Sequence, residues 1–178
     1  MTDTNEMAHC SGFDAVARAD ARLLILGTLP GVESLKQQQY YAHRQNSFWK
    51  IVGKLLEMAP DLPYAGQLQC LMENRIALWD VCAAAQREGS LDADIRSPVA
   101  NGFQAFFRSH EDIALICFNG QSAEKLFRRL VRPQLSEPAA SLPNLVLPST
   151  SPAHAGMRFE QKLALWREAL ACIQQVTR

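Results

Sequence analysis

Four short apolar runs, each followed by a helical pattern, most constrain what this chain can fold into. Leu23-Leu24-Ile25-Leu26, Ile76-Ala77-Leu78-Trp79, Ile113 to Phe118 and Leu145-Val146-Leu147 are continuous rather than alternating. A strand that is apolar at every position is covered on both faces, the condition of a parallel sheet. Strands are expected at 22–27, 76–80, 113–118 and 145–148, and helices at 47–58, 64–74, 98–108, 121–131 and 158–176. That order predicts an α/β chain, a three-layer α/β/α domain with a central four-stranded parallel sheet. At 178 residues, a single domain spanning 1–178 is expected, large enough to bury a core without disulfides or metal.

In an open parallel sheet, ligands lie beyond the carboxyl ends of the strands. Thr28 follows the first strand, Asn119 ends the third and Ser149 follows the fourth, so one cleft lined by residues distant in sequence is expected. The connection from Gly27 to the helix at Phe48 is roughly 15–20 residues, long for an α/β domain, and such loops are functional or disordered. Pro30, Gly31, Tyr40, Tyr41, His43 and Asn46 make this one too aromatic for disorder.

The stretch from Gly27 to Trp49, with Tyr41-Ala42-His43, Asn46 and Phe48-Trp49-Lys50, resembles the first motif of the uracil-DNA glycosylase superfamily. It looks most like the hypoxanthine-DNA (deoxyinosine) glycosylase branch, with the mismatch-specific uracil glycosylases as cousins. Phe118-Asn119-Gly120 and Leu147-Pro148-Ser149-Thr150-Ser151-Pro152-Ala153-His154 recur in the expected order, so the resemblance spans residues 22–155. It implies a monofunctional glycosylase that hydrolyses the N-glycosidic bond of deaminated bases, chiefly hypoxanthine, in DNA. The alternatives are the same chemistry on uracil in mismatches, or a nucleotide-binding α/β module without glycosylase activity.

Such an enzyme flips its target out of the stack and reads it by stacking and edge hydrogen bonds. The resemblance implies that Asn46 positions the attacking water. The uracil-specific enzymes use an Asp two places after the motif glycine; Leu29 stands there in this chain and cannot polarise water. An amide is no strong base, but its carbonyl oxygen can orient a water. Asn is also a preferred N-cap, and a helix begins beside it, so capping is the other reading. The amide of Asn119 matches the edge of a lactam, or else belongs to an ordinary Asn-Gly turn. Tyr41 corresponds to the stacking aromatic of the mismatch enzymes, the other reading being that it pins the loop; Phe48 and Trp49 read as core.

Thr28, Pro30 and Gly31 are expected to complete the pocket. Where the uracil-specific enzymes carry a Tyr against the methyl of thymine, Gly31 leaves room for a purine, unless it is a turn glycine of positive φ. Ser149, Ser151 and His154 are expected against the DNA backbone. The catalytic His of the family precedes its Pro-Ser; here that place holds Leu147.

Composition limits the partners. With 18 basic and 18 acidic residues there is no overall field to draw in nucleic acid, so only a local rim (Arg44, Arg128, Arg129, Arg132, Arg158) is available. The five cysteines form no Cys-x-x-Cys pair, so no metal and no cofactor is expected. No lysine is marked as a Schiff-base nucleophile, so the abasic product should remain uncleaved. The polar N-terminus and the lack of a long apolar run predict a cytoplasmic protein with no membrane segment. The resemblance implies DNA as its partner, and a monomer is expected.

Overall fold

The structure is a computed structural model that describes residues 9–176. Its elements are β1 (His9–Ser11), β2 (Leu23–Gly27), α1 (Val32–Gln37), α2 (Phe48–Leu55), α3 (Tyr64–Glu73), β3 (Ile76–Asp80), β4 (Cys82–Gln86), β5 (Arg96–Ala100), α4 (Phe103–Ser109), β6 (Leu115–Asn119), α5 (Gln121–Leu130), β7 (Asn144–Leu147) and α6 (Phe159–Val176). The four expected strands form one parallel sheet in the order β3-β2-β6-β7.

Successive residues of these strands feed opposite cores, as the two-residue period of a strand requires. Leu24, Leu26, Ala77, Trp79, Ile116 and Phe118 pack on one face with Phe103, Phe106 and Phe107 of α4 and Phe127 of α5. Leu23, Ile25, Ile76, Leu78, Cys117 and Leu147 pack on the other with Phe48, Ile51 and Val52 of α2, Leu71 of α3 and Trp166 of α6. Each fully buried Leu, Ile or Phe contributes about 1.5–3 kcal/mol of transfer free energy. This two-sided cover makes the three-layer α/β/α arrangement.

Three features depart from the sequence-based expectation. A second, antiparallel sheet of order β1-β4-β5 sits beside the first. The helix expected over 98–108 begins only at Phe103, because Arg96–Ala100 is a strand. Pro98 lies on its edge strand, where the missing N–H costs no ladder bond. The long loop after β2 contains the short helix α1, after which Gln38 and Tyr41 take left-handed backbone conformations, φ 54° and 55°. Among the described residues no helix is long and apolar enough to cross a membrane.

Candidate active site

The strand ends form a row. Asp80 pairs with Gly27, Asn119 pairs with Leu147, and Asn119 follows the Leu26–Phe118 pair. Paired residues of a parallel sheet point to one face, here the face of α2 and α6. Gly27 alone in the row has no side chain. A Cβ there would lie 2.5 Å from Asp80 Oδ1 and 2.8 Å from the Tyr41 hydroxyl, so glycine is required by close approach. Tyr41 thus reaches down between the strand ends while its ring stacks on Phe48, centroids 4.1 Å apart at 25°. One face of the expected stacking aromatic is therefore covered by protein.

Thr150 gathers the three motifs. Asn119 Nδ2 donates to Thr150 Oγ1 at 2.9 Å, and Asn119 Oδ1 accepts the Thr150 N–H at 2.9 Å. Each amide atom keeps one further hydrogen or lone pair, enough to offer a donor and an acceptor outward. The Thr150 carbonyl accepts the Ser47 N–H at 3.0 Å and the Ser47 hydroxyl at 3.3 Å. Next to Ser47, Asn46 Oδ1 accepts the Phe48 N–H at 3.0 Å. The N-cap of α2 is Ser47, which makes no side-chain cap bond. Asn46 stands one residue before it in an Asx turn, which corrects the capping expectation and fixes the Asn46 amide with its second lone pair and Nδ2 still available.

The remaining expected residues sit less directly on the floor. Thr28 is buried and donates its hydroxyl to Asp92 Oδ1 at 2.6 Å, so its side chain is turned to the 87–95 turn rather than to the strand-end row. The Pro30 carbonyl is held by the guanidinium of Arg87, which also donates to the carbonyls of Leu29 and Gly89. Gly31 has φ −73°, which removes the positive-φ reading. A Cβ at Gly31 would meet Ser90 Oγ at 3.2 Å, so Ser90 takes up part of the room the glycine leaves. Gly120, by contrast, does have positive φ, 96°, and Ser149 lies over it. Ser149 Oγ accepts the Ser151 N–H and Ser151 Oγ accepts the Ala153 N–H, both at 3.2 Å, so the two hydroxyls shape the loop. His154 is exposed and among the described residues its ring makes no hydrogen bond; its carbonyl takes a hydrogen bond at 2.9 Å from Lys162.

Four residues of the site were missed by sequence reasoning: Asp80, Arg87, Thr150 and Lys162, all buried. Burial pushes the Asp80 carboxyl up to about 7, with the charge of Asp92 adding to the rise and Arg87 opposing it. Asp92 is also raised, by desolvation of its carboxyl, against the Thr28 hydrogen bond and the Arg87 charge. Burial, then Asp80, likewise raises Tyr41, with the Asn119 side chain opposing the rise. Desolvation lowers Lys162. Asp80 could have been found by the criterion that found Asn119, a polar residue closing an apolar strand. Arg87 and Lys162 carry no such signal. Among the described residues no three His, Cys, Asp or Glu side chains cluster to hold a metal. A shallow groove lined by Phe13, Asp14, Tyr40 and Tyr64 shares no residue with the strand-end row.

The chain as a whole is similar to known proteins. The family model of the uracil DNA glycosylase superfamily matches residues 13–171. A protein of Methanosarcina acetivorans named hypoxanthine DNA glycosylase is 43% identical over 113 residues, 63% of this chain and 72% of its own. A protein of the same name from Methanosarcina barkeri is 36% identical over 113 residues, with the same shares covered. The solution NMR structure of a candidate uracil DNA glycosylase from Methanosarcina acetivorans superposes with a TM-score of 0.74 at 35% identity, covering 90% of this chain and 98% of that one.

Proposed function

This chain belongs to the uracil DNA glycosylase superfamily, and from that premise we propose that it excises hypoxanthine from DNA by hydrolysing the N-glycosidic bond. The relatives from the two Methanosarcina species bear the name hypoxanthine DNA glycosylase and support the substrate. The observation that carries the assignment of roles is the hydrogen-bonded unit of Asn46–Ser47, Thr150 and Asn119. It brings an amide that can orient water and an amide that can read a base edge against one buried residue.

In this reading the flipped base lies over the strand-end row, stacked on the face of Tyr41 that Phe48 does not cover. Asn119, locked by Thr150, presents its remaining hydrogen and lone pair to the O6 and N1–H edge of hypoxanthine. The bond from C1′ to the base breaks with its electron pair leaving on the base. Water held by Asn46 then bonds to C1′ and gives up a proton, which balances the proton the base takes. Leu29 supplies no base for this water, so the step suits a sugar that already carries most of its positive charge. Thr28, Pro30 and Gly31 form the wall, kept in place by Asp92 and Arg87, and the Ser149–His154 loop follows the phosphates.

The test is a panel of duplexes carrying hypoxanthine, uracil, xanthine or thymine, scored for abasic sites under single-turnover conditions. Hypoxanthine should be released at least about tenfold faster than uracil, a difference of about 1.4 kcal/mol in barrier. Robust uracil release with no hypoxanthine release would overturn the substrate assignment. The abasic strand should stay intact, and borohydride should trap no protein–DNA adduct.

A further inference from the structure

Asp80 alone among the carboxylates of the described residues is buried, 3% exposed, and the roles assigned above leave it unused. Its Oδ2 meets no hydrogen-bond donor, and the nearby Tyr41 hydroxyl, which lies against the Asn119 side chain, makes no hydrogen bond of good geometry. Asp80 Oδ1 and that hydroxyl crowd the same point over Gly27. Asn119, held by Thr150, flanks Gly27 on the opposite side of the row from Asp80. Arg87 does not neutralise the carboxyl by contact, because its guanidinium is spent on the carbonyls of Leu29, Pro30 and Gly89. Buried polar groups left in this state are costly and mark places where function outweighs stability.

We propose that Asp80 is a positioning residue, whose protonation sets the direction in which the Tyr41 hydroxyl donates its hydrogen bond. The proposal rests on the glycosylase reading and adds to it a group acting through Tyr41. A protonated carboxyl is an O–H donor; it gives its hydrogen to the Tyr41 oxygen and leaves the phenolic O–H to point toward the base. An ionised carboxylate only accepts. It draws the phenolic O–H inward and sets a negative charge behind a base that departs with an electron pair. The neutral form is therefore the productive one. Asp80 itself exchanges no bond with the substrate.

The surroundings let both forms exist near neutrality. Burial raises the carboxyl to about 7, helped by Asp92 from the turn after β4 and opposed by Arg87. The other titratable groups facing it are Tyr40 and Tyr41, both raised chiefly by burial and further by Asp80, and Cys82, pushed up to about 12. These three stay neutral, so Asp92 and Arg87 are the charges acting on Asp80.

The experiment is single-turnover excision of hypoxanthine between about pH 5 and 9 by wild type, Asp80→Asn and Tyr41→Phe, with melting temperatures on the same preparations. Wild type should lose about tenfold in rate per pH unit above about pH 7. In Asp80→Asn the amide donates permanently to Tyr41, so the rate at the acid end should stay within about threefold and the alkaline fall should vanish. Tyr41→Phe should be slow at every pH, and adding Asp80→Asn to it should change nothing further. An alkaline fall that persists in Asp80→Asn overturns the proposal. So does an Asp80→Asn protein of native melting temperature that is inactive throughout. Carbon NMR of the Asp80 carboxyl tests the same coupling without activity: its titration should lie well above the ordinary carboxylate range and rise further in Tyr41→Phe, which removes a donor to the ionised form. An ordinary value, or one indifferent to Tyr41→Phe, overturns the proposal. A wild type that excises no base counts against the glycosylase reading instead, and the NMR titration then decides the Asp80–Tyr41 coupling.

Discussion

Thr150 takes two donors from Ser47 on its carbonyl and exchanges two hydrogen bonds with the Asn119 amide. Ser149 and Ser151, which flank it, spend their hydroxyls on the turn of their own loop. The sequence marks all three as hydroxyl residues after a strand, but which of them faces inward depends on the backbone beyond Leu147, which has no period to read. Thr150→Val keeps the shape and leaves Asn119 Nδ2 without its acceptor. Stability should fall by about 1–3 kcal/mol, and single-turnover excision should fall about tenfold with little change in DNA binding. Asn46 was legible both as a cap and as a water-positioning group because the two uses ask for the same side chain at the same place. Its Oδ1 serves the Phe48 N–H from the position before the N-cap, Ser47, so Asn46→Ala should cost about 1 kcal/mol of stability for the lost hydrogen bond besides its effect on rate. Asp80 makes the stability depend on pH. Its folded-state value lies above the unfolded one, so the native state holds the proton more tightly. Stability should then decline as pH rises from about 4 to about 7 and level off above. In Asp80→Asn that slope should be much reduced in melting curves, the raised Asp92 keeping a smaller share of it. Above about pH 7 the variant should be the more stable protein, by at most about 4 kcal/mol.

Among the elements, β2, β3 and β6 were readable because a strand buried on both faces leaves a continuous apolar run. The antiparallel sheet was not. β4 is Cys-Ala-Ala-Ala-Gln and β5 is Arg-Ser-Pro-Val-Ala, too small and too polar to show either period, and their pairing shifts register twice. The turn joining these two strands nonetheless supports the motif loop, through Arg87, Ser90 and Asp92. Arg87 is 1% exposed and its donors end on backbone carbonyls of residues 29, 30 and 89, a partnership no sequence pattern signals. Arg87→Met should leave those carbonyls unpaired and loosen the Thr28–Gly31 wall. A drop in melting temperature together with faster hydrogen exchange at residues 29–32 is expected; unchanged exchange there would mean the clamp does not hold the loop.

At the scale of the whole molecule, a chain with 18 basic and 18 acidic residues cannot rely on a general field to find DNA. Arg44 and Arg158 are exposed and border the two loops that rise from the strand ends. Each phosphate contact contributes about 0.9 to the slope of log affinity against log salt. Arg44→Ala with Arg158→Ala should therefore weaken binding at low salt and reduce that slope by about 2; an unchanged slope would place the backbone contacts elsewhere. The reading as a whole joins a parallel sheet, a row of strand-end side chains and one hydrolytic reaction. It is tested most directly by mass spectrometry of the base set free from a hypoxanthine duplex by wild type and by Asn46→Ala, with protein in excess. Wild type should liberate free hypoxanthine in step with an intact abasic strand, and folded Asn46→Ala should do so more slowly by a factor on the order of 10²–10³, about 3–4 kcal/mol of barrier. No free hypoxanthine from wild type, or release by Asn46→Ala at the wild-type rate, would contradict it.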